Sequence, residues 1–157
     1  MSGQDIDKNS GFTGALGKAG LGLGSTAAEL KIAAPNGAGL DYCIEGLAYH
    51  AADDATVAMT AMSVQAVSTS CLYLVMLDSS GTLTTKKGVE RLTAGLGANS
   101  SLQWPPCDAD KCPIGGFLVD SSASVNFTGA TTELSAACIT DTYYDFSLGM
   151  PSVPITS

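Results

Sequence analysis

Two thiols and two carboxylates fall together in Cys107-Asp108-Ala109-Asp110-Lys111-Cys112, directly after the Trp104-Pro105-Pro106 triplet. Thiolates and carboxylates are metal ligands, and a close pair of thiols can also bridge or remain as free nucleophiles. The C-x4-C spacing has no second pair to complete a structural zinc site, so a metal would need ligands from distant segments, and none is assigned. A Cys107–Cys112 disulfide closing the loop and two free thiols are the remaining readings, and the redox compartment decides between them. With five cysteines, at least one stays unpaired even if the others bridge. Cys43, Cys71 and Cys138 stand in strand-like surroundings and are expected to be small buried hydrophobes.

The remaining chemistry-bearing residues are sparse. His50 is the single histidine, so a His-based metal site or a Ser-His triad has one imidazole to work with, and no G-x-S-x-G elbow is present. It is expected to be structural, at the end of a strand. Gly17-Lys18 looks like part of a phosphate-binding loop, but the first required glycine falls on Phe12 and Ala19 replaces the Ser or Thr that would bind magnesium. The G-L-G-L-G run at residues 20–24 lacks a preceding strand and the acidic partner of a dinucleotide fold. Asp53-Asp54 reads as a solvated corner, and Asp108 with Asp110 lacks the calcium-loop pattern. Asn99 and Asn126 head N-x-S/T sequons, which matter only in a secreted chain. Asp5 and Asp7 stand where a secretory signal would be positive, so none is expected. No enzymatic activity and no cofactor are expected.

Composition narrows the partners. Seven Lys and Arg against 15 Asp and Glu give a net charge of −8, which opposes a phosphate backbone and argues against nucleic acid as a direct ligand. The longest wholly apolar run, residues 72–77, is far shorter than the roughly 20 residues of a membrane-spanning helix, so no membrane partner is expected. At 157 residues and 45% apolar content, one domain plus an arm is the default.

The segments that must position these groups read as β. Leu72 to Leu77 is apolar on both faces, D-S-S-G at residues 78–81 has hairpin-turn chemistry, and the return strand ends at Lys86-Lys87. Further strands are expected at residues 30–34, 40–50, 56–62, 64–67, 117–121, 125–127 and 142–147, with a turn at Pro35-Asn36-Gly37 and a polar corner at 51–55. Residues 88–112 read as a long loop, with a short helix possible at 87–94. The expected fold is all-β, an antiparallel sandwich or barrel spanning residues 28–150 with a terminal tail at 151–157. Seven glycines within residues 1–27 predict a flexible, extended arm, whose Phe12, Leu16, Leu21 and Leu23 would order on contact with a neighbouring subunit.

The order of segments resembles small structural proteins of tailed bacteriophages, especially capsid decoration (cement) proteins. The resemblance rests on Tyr73 to Gly88, on Pro113-Ile114-Gly115-Gly116-Phe117-Leu118-Val119, and on Phe127-Thr128-Gly129-Ala130-Thr131-Thr132-Glu133-Leu134 leading to Ile139-Thr140-Asp141-Thr142-Tyr143. It covers residues 30–147 and leaves out the arm and the cysteine-bounded loop. It implies a homo-oligomer, with a trimer favoured, made in the host cytoplasm and sitting on the outer capsid surface of the virion against the major capsid protein. Phage tail and baseplate proteins share similar strand-turn phrases. A receptor- or glycan-binding module is the reading from another class, with Trp104, Tyr143 and Tyr144 as stacking surfaces.

Overall fold

Every residue of Thr69–Leu77 is buried, so the apolar run at the centre of the sequence needs a covering layer on each side. A computed structural model supplies both layers and describes residues 11–96 and 101–148. Its strands are β1 (Gly14–Ala15), β2 (Leu21–Leu23), β3 (Glu29–Ile32), β4 (Leu40–Ile44), β5 (Leu47–Ala51), β6 (Asp54–Ala58), β7 (Thr69–Leu77), β8 (Leu83–Lys87), β9 (Arg91–Leu92), β10 (Cys112–Ser121) and β11 (Ile139–Asp145). A five-stranded sheet runs β11-β10-β7-β8, with β9 also pairing β7, and two three-stranded sheets run β1-β4-β5 and β2-β3-β6. All pairs are antiparallel, and the sheets pack as an all-β sandwich.

Alternation along β7 sends side chains into two cores. Cys71, Tyr73, Val75 and Leu77 join Phe117, Phe127, Leu30 and Tyr42 in the larger one, beneath the two small sheets. Leu72, Leu74 and Met76 join Trp104 and Phe146 in a smaller core on the opposite face. Two adjacent glycines in β10 let both covers approach. A Cβ on Gly115 would collide with Leu21 and the Tyr144 carbonyl, whereas one on Gly116 would collide with the Trp104 ring and the Tyr73 carbonyl.

The β7–β8 hairpin follows its sequence. Asp78 Oδ1 accepts hydrogen bonds from the Ser80 amide at 2.8 Å and the Thr82 amide at 3.0 Å, and Gly81 takes a φ of +81°. The Ser80 hydroxyl bond foremost holds the Asp78 carboxyl below its usual range.

Several boundaries differ from those expected. The segment anticipated as a free arm is, from Gly11 onward, stitched into the domain: Gly14↔Cys43 and Ala15↔Tyr42 pair β1 with β4, and Leu21↔Ile32 begins the β2–β3 pairing. Residues 1–10 and the tail at 151–157 lie outside the described residues. The single strand expected at 40–50 is a hairpin, because Glu45 and Gly46 take φ values of +50° and +83° and reverse the chain. The corner at 51–55 already contains the start of β6, and 64–67 and 125–127 contribute only the isolated Gln65↔Phe127 bridge. In place of the short helix at 87–94 stand β9 and a 3-10 turn at Thr93–Gly95.

Candidate functional site

The four arm residues anticipated as a contact surface divide into two pairs. Leu21 is buried in the larger core, and Leu23 is half-buried against it. Phe12 and Leu16, flanking β1, remain 45% and 48% exposed. Close by are two further exposed residues: the Leu148 amide donates to the Ala15 carbonyl at 2.8 Å, and the Gly46 amide, next to Leu47, donates to the Phe12 carbonyl at 3.0 Å. A second set of exposed aliphatics, Val64, Val67, Val89 and Leu92, surrounds β9. There the Lys87 ammonium donates to the Val64 carbonyl at 2.6 Å and Leu92 lies opposite Thr69.

The anticipated disulfide pair is split between the cores. Cys112 is buried in the larger core, whereas Cys107 packs against Met76 in the smaller, its Sγ 3.6 Å from the Met76 sulfur, and both are free thiols. Burial pushes the Cys112 thiol up to about 12 and raises Cys107 as well. Cys71 is buried as expected and pushed up to about 11, again by burial, while Cys43 and Cys138 are half-buried. His50 sits in β5 with its Nδ1 2.8 Å from Asp41 Oδ1, an exposed cross-strand pair. Among the described residues no group of three or more His, Cys, Asp or Glu is placed to hold a metal ion. No helix of the described residues is long and apolar enough to cross a membrane.

The aromatics proposed as stacking surfaces are occupied internally. Trp104 is 8% exposed and meets Tyr144 and Phe146 edge-on, with ring centroids 5.7 and 5.0 Å away. Tyr143 packs against Phe117 on the other face.

A cleft of about 580 Å³ lies at the end of the central sheet beyond Leu72, lined by Leu92, Thr93, Asp120, Ser122, Cys138 and Thr140 among others. Pairing register explains its floor. Asp120 lies opposite Ser70 on one side and Thr140 on the other, two residues beyond the Leu72–Leu118–Thr142 row, so these polar residues continue the face that carries the smaller core. Ser70 Oγ and Thr93 Oγ1 are 2.9 Å apart. Backbone groups around the cleft are paired with one another: Ser68 N donates to Ser122 O, Thr93 N to Ser68 O, and Ser122 N to Cys138 O, each at 3.0 Å. By contrast Asp120 Oδ1 is shut away from water and has no hydrogen-bond donor among the described residues. On the opposite face the equivalent buried polar group is satisfied: Gln65 Nε2 donates to the Thr69 and Val119 carbonyls, and its Oε1 accepts from the Tyr73 hydroxyl at 2.8 Å.

Sequence reasoning missed this cleft. Its one local signal was a carboxylate, Asp120, at the end of the apolar run Phe117-Leu118-Val119. Comparison with family models, with curated proteins and with solved structures gives no match for the chain.

Proposed function

We propose that the chain is a non-enzymatic structural protein of a tailed-phage virion, a decoration protein that binds the outer shell and stabilises it. The observation that carries this reading is the grouping of exposed large apolar residues on two sets of elements: Phe12, Leu16, Leu47 and Leu148 around β1, and Val64, Val67, Val89 and Leu92 around β9. Singly exposed aliphatics are ordinary, but grouped ones mark surfaces that another protein covers. Two such surfaces suit a module that touches a neighbour with each, as a cement protein between shell subunits must. A copy of the chain and the major capsid protein are the natural occupants, and a trimer places like surfaces against unlike ones around a closed ring. Binding that exists only in the assembled shell would stabilise it by mass action. Against a glycan-binding reading stands the internal packing of Trp104, Tyr143 and Tyr144, the three aromatics it would use for stacking.

The test is retention of the purified chain on shells assembled from the major capsid protein of the same genome. Co-sedimentation at a fixed ratio to the shell protein, with a raised shell melting temperature, is the expected result. A genome without a capsid gene, or shells that retain no chain, overturns it.

A further inference from the structure

Among the described residues, the cleft at the end of the central sheet holds a charge with no ion-pair partner. Asp120 is the one charged residue among those that line it; the rest are serines, threonines, alanines, Leu92 and Cys138. Oδ1 of that carboxylate reaches neither water nor a donor among the described residues, and Asp120 forms no ion pair there, so a cation entering the cleft would meet the carboxylate through Oδ2. Arg91 is the nearest candidate by register, lying opposite Ser70, which in turn lies opposite Asp120. Its side chain is exposed, does not line the cleft, and makes no ion pair among the described residues. Tyr144, from the same face, feels the Asp120 charge without hydrogen-bonding to it.

We propose that this cleft receives a primary ammonium on an aliphatic stem, the end of a lysine side chain presented by the protein that the chain binds. An ammonium is a compact charge with three donors and no acceptor, matching a single carboxylate oxygen, Oδ2, and the hydroxyls of Thr93 and Thr140 on the cleft wall. A guanidinium is a poorer match, because its two-pronged bond needs both carboxylate oxygens and Oδ1 is closed off. Anions find no cation among the described residues of the lining. The methylene stem would lie along Leu92, Ala94, Ala123 and Ala137, aliphatic surface of the kind a lysine stem covers. Leu92 is 67% exposed and belongs to the apolar set around β9, so the cleft is continuous with one of the two surfaces assigned to shell contact. The identity of the partner rests on the decoration reading; the chemistry of the cleft does not.

The test is a titration of the full chain followed by amide chemical shifts, with Nα-acetyl-lysine methylamide as probe. Its norleucine counterpart, of similar shape and uncharged, and its arginine counterpart serve as comparisons. Saturable shifts at Thr93, Asp120, Ser122 and Thr140, about tenfold tighter for the lysine probe than for norleucine and weakened by a similar factor in Asp120→Asn, are expected. Equal binding of norleucine, equal or tighter binding of arginine, or no saturable shift overturns the proposal. Should Asp120→Asn fail to fold, the preference for lysine over norleucine in the parent chain decides the matter alone. This titration uses no shells, so its failure would leave the decoration reading standing, and shells that retain no chain would leave the cleft chemistry standing.

Discussion

One face of the central sheet is closed by strands and the other by a loop, although β7 presents similar apolar side chains to both. Cys71, Tyr73, Val75 and Leu77 meet a cover assembled from β1 to β6, in which Leu30, Ile32, Leu40, Tyr42 and Ile44 share the contact. Leu72, Leu74 and Met76 meet chiefly Trp104 and Phe146, with Leu102 and Cys107 at the margin. The first cover spreads burial over many residues, and the second concentrates it on one indole held between Gly116 and two aromatic neighbours. Beyond Leu72 the same face continues into Ser70, Asp120 and Thr140, where the cleft lies. The cleft therefore lies on the more thinly covered face of the same sheet.

The sharpest way to break this contrast is Trp104→Ala. Removing a large buried aromatic costs about 3 to 5 kcal/mol, measurable by denaturant unfolding, and here no neighbouring strand can move in to replace it. If the covers are independent, Cys107 should become reactive to thiol reagents under native conditions while Cys71 and Cys112 stay protected. Labelling of Cys112 at the rate of Cys107 would show instead that the two faces open as one unit.

A second measurement compares the thiols of the two faces through pH. Cys112 is buried to 0% exposure, and its thiol is pushed from an ordinary 9.0 up to about 12. In the fold it therefore stays protonated while the unfolded chain ionises. The unfolded state then binds fewer protons, so stability falls as pH rises above 9 and continues to fall towards 12, by up to about 1.4 kcal/mol per pH unit for each such thiol. Cys71, pushed up to about 11, adds to the same slope over a narrower window. Unfolding free energies across this alkaline range should show a shallower slope in Cys112→Ala than in the parent. Cys107→Ala should change it less, since that thiol is half-buried at the edge of the thinner cover. Equal changes would mean that the loop excludes water as well as the sheets do.

What the sequence revealed follows the same division. The β7–β8 hairpin was legible because both its signals are local: an apolar run with no alternation, and an Asp78 turn whose hydrogen bonds span at most four residues. The segment from Gly11 to Gly24 was not, because its strands are two and three residues long and are fixed by partners such as Cys43 and Ile32, not by any period of their own. The Glu45-Gly46 reversal was missed because Glu lacks the ready access to positive φ that marks Asn-Gly and Asp-Gly turns. Asp120 could be placed on a strand from sequence. Its face, and the absence of a donor for Oδ1, depend on the register of Ser70 and Thr140, which no local pattern encodes.

The smallest expected effect concerns what pins the loop cover to the sheet. Lys86 on β8 donates from Nζ to Asp108 Oδ1 at 2.6 Å and to the Pro106 carbonyl at 2.9 Å, and Lys111 Nζ reaches Thr84 Oγ1 at 2.8 Å. The Lys86 hydrogen bond foremost holds the Asp108 carboxyl below its usual range, so the attraction is real. Yet the two side chains are 35% and 39% exposed, and water and salt screen most of its worth. Lys86→Ala should cost about 0.2 to 1 kcal/mol, shrinking as salt is raised, while loosening the loop enough to raise the labelling rate of Cys107. A loss near that of Trp104→Ala would mean that charge, not the buried indole, holds the second face closed. The loop cover would then loosen with ionic strength while the strand cover did not.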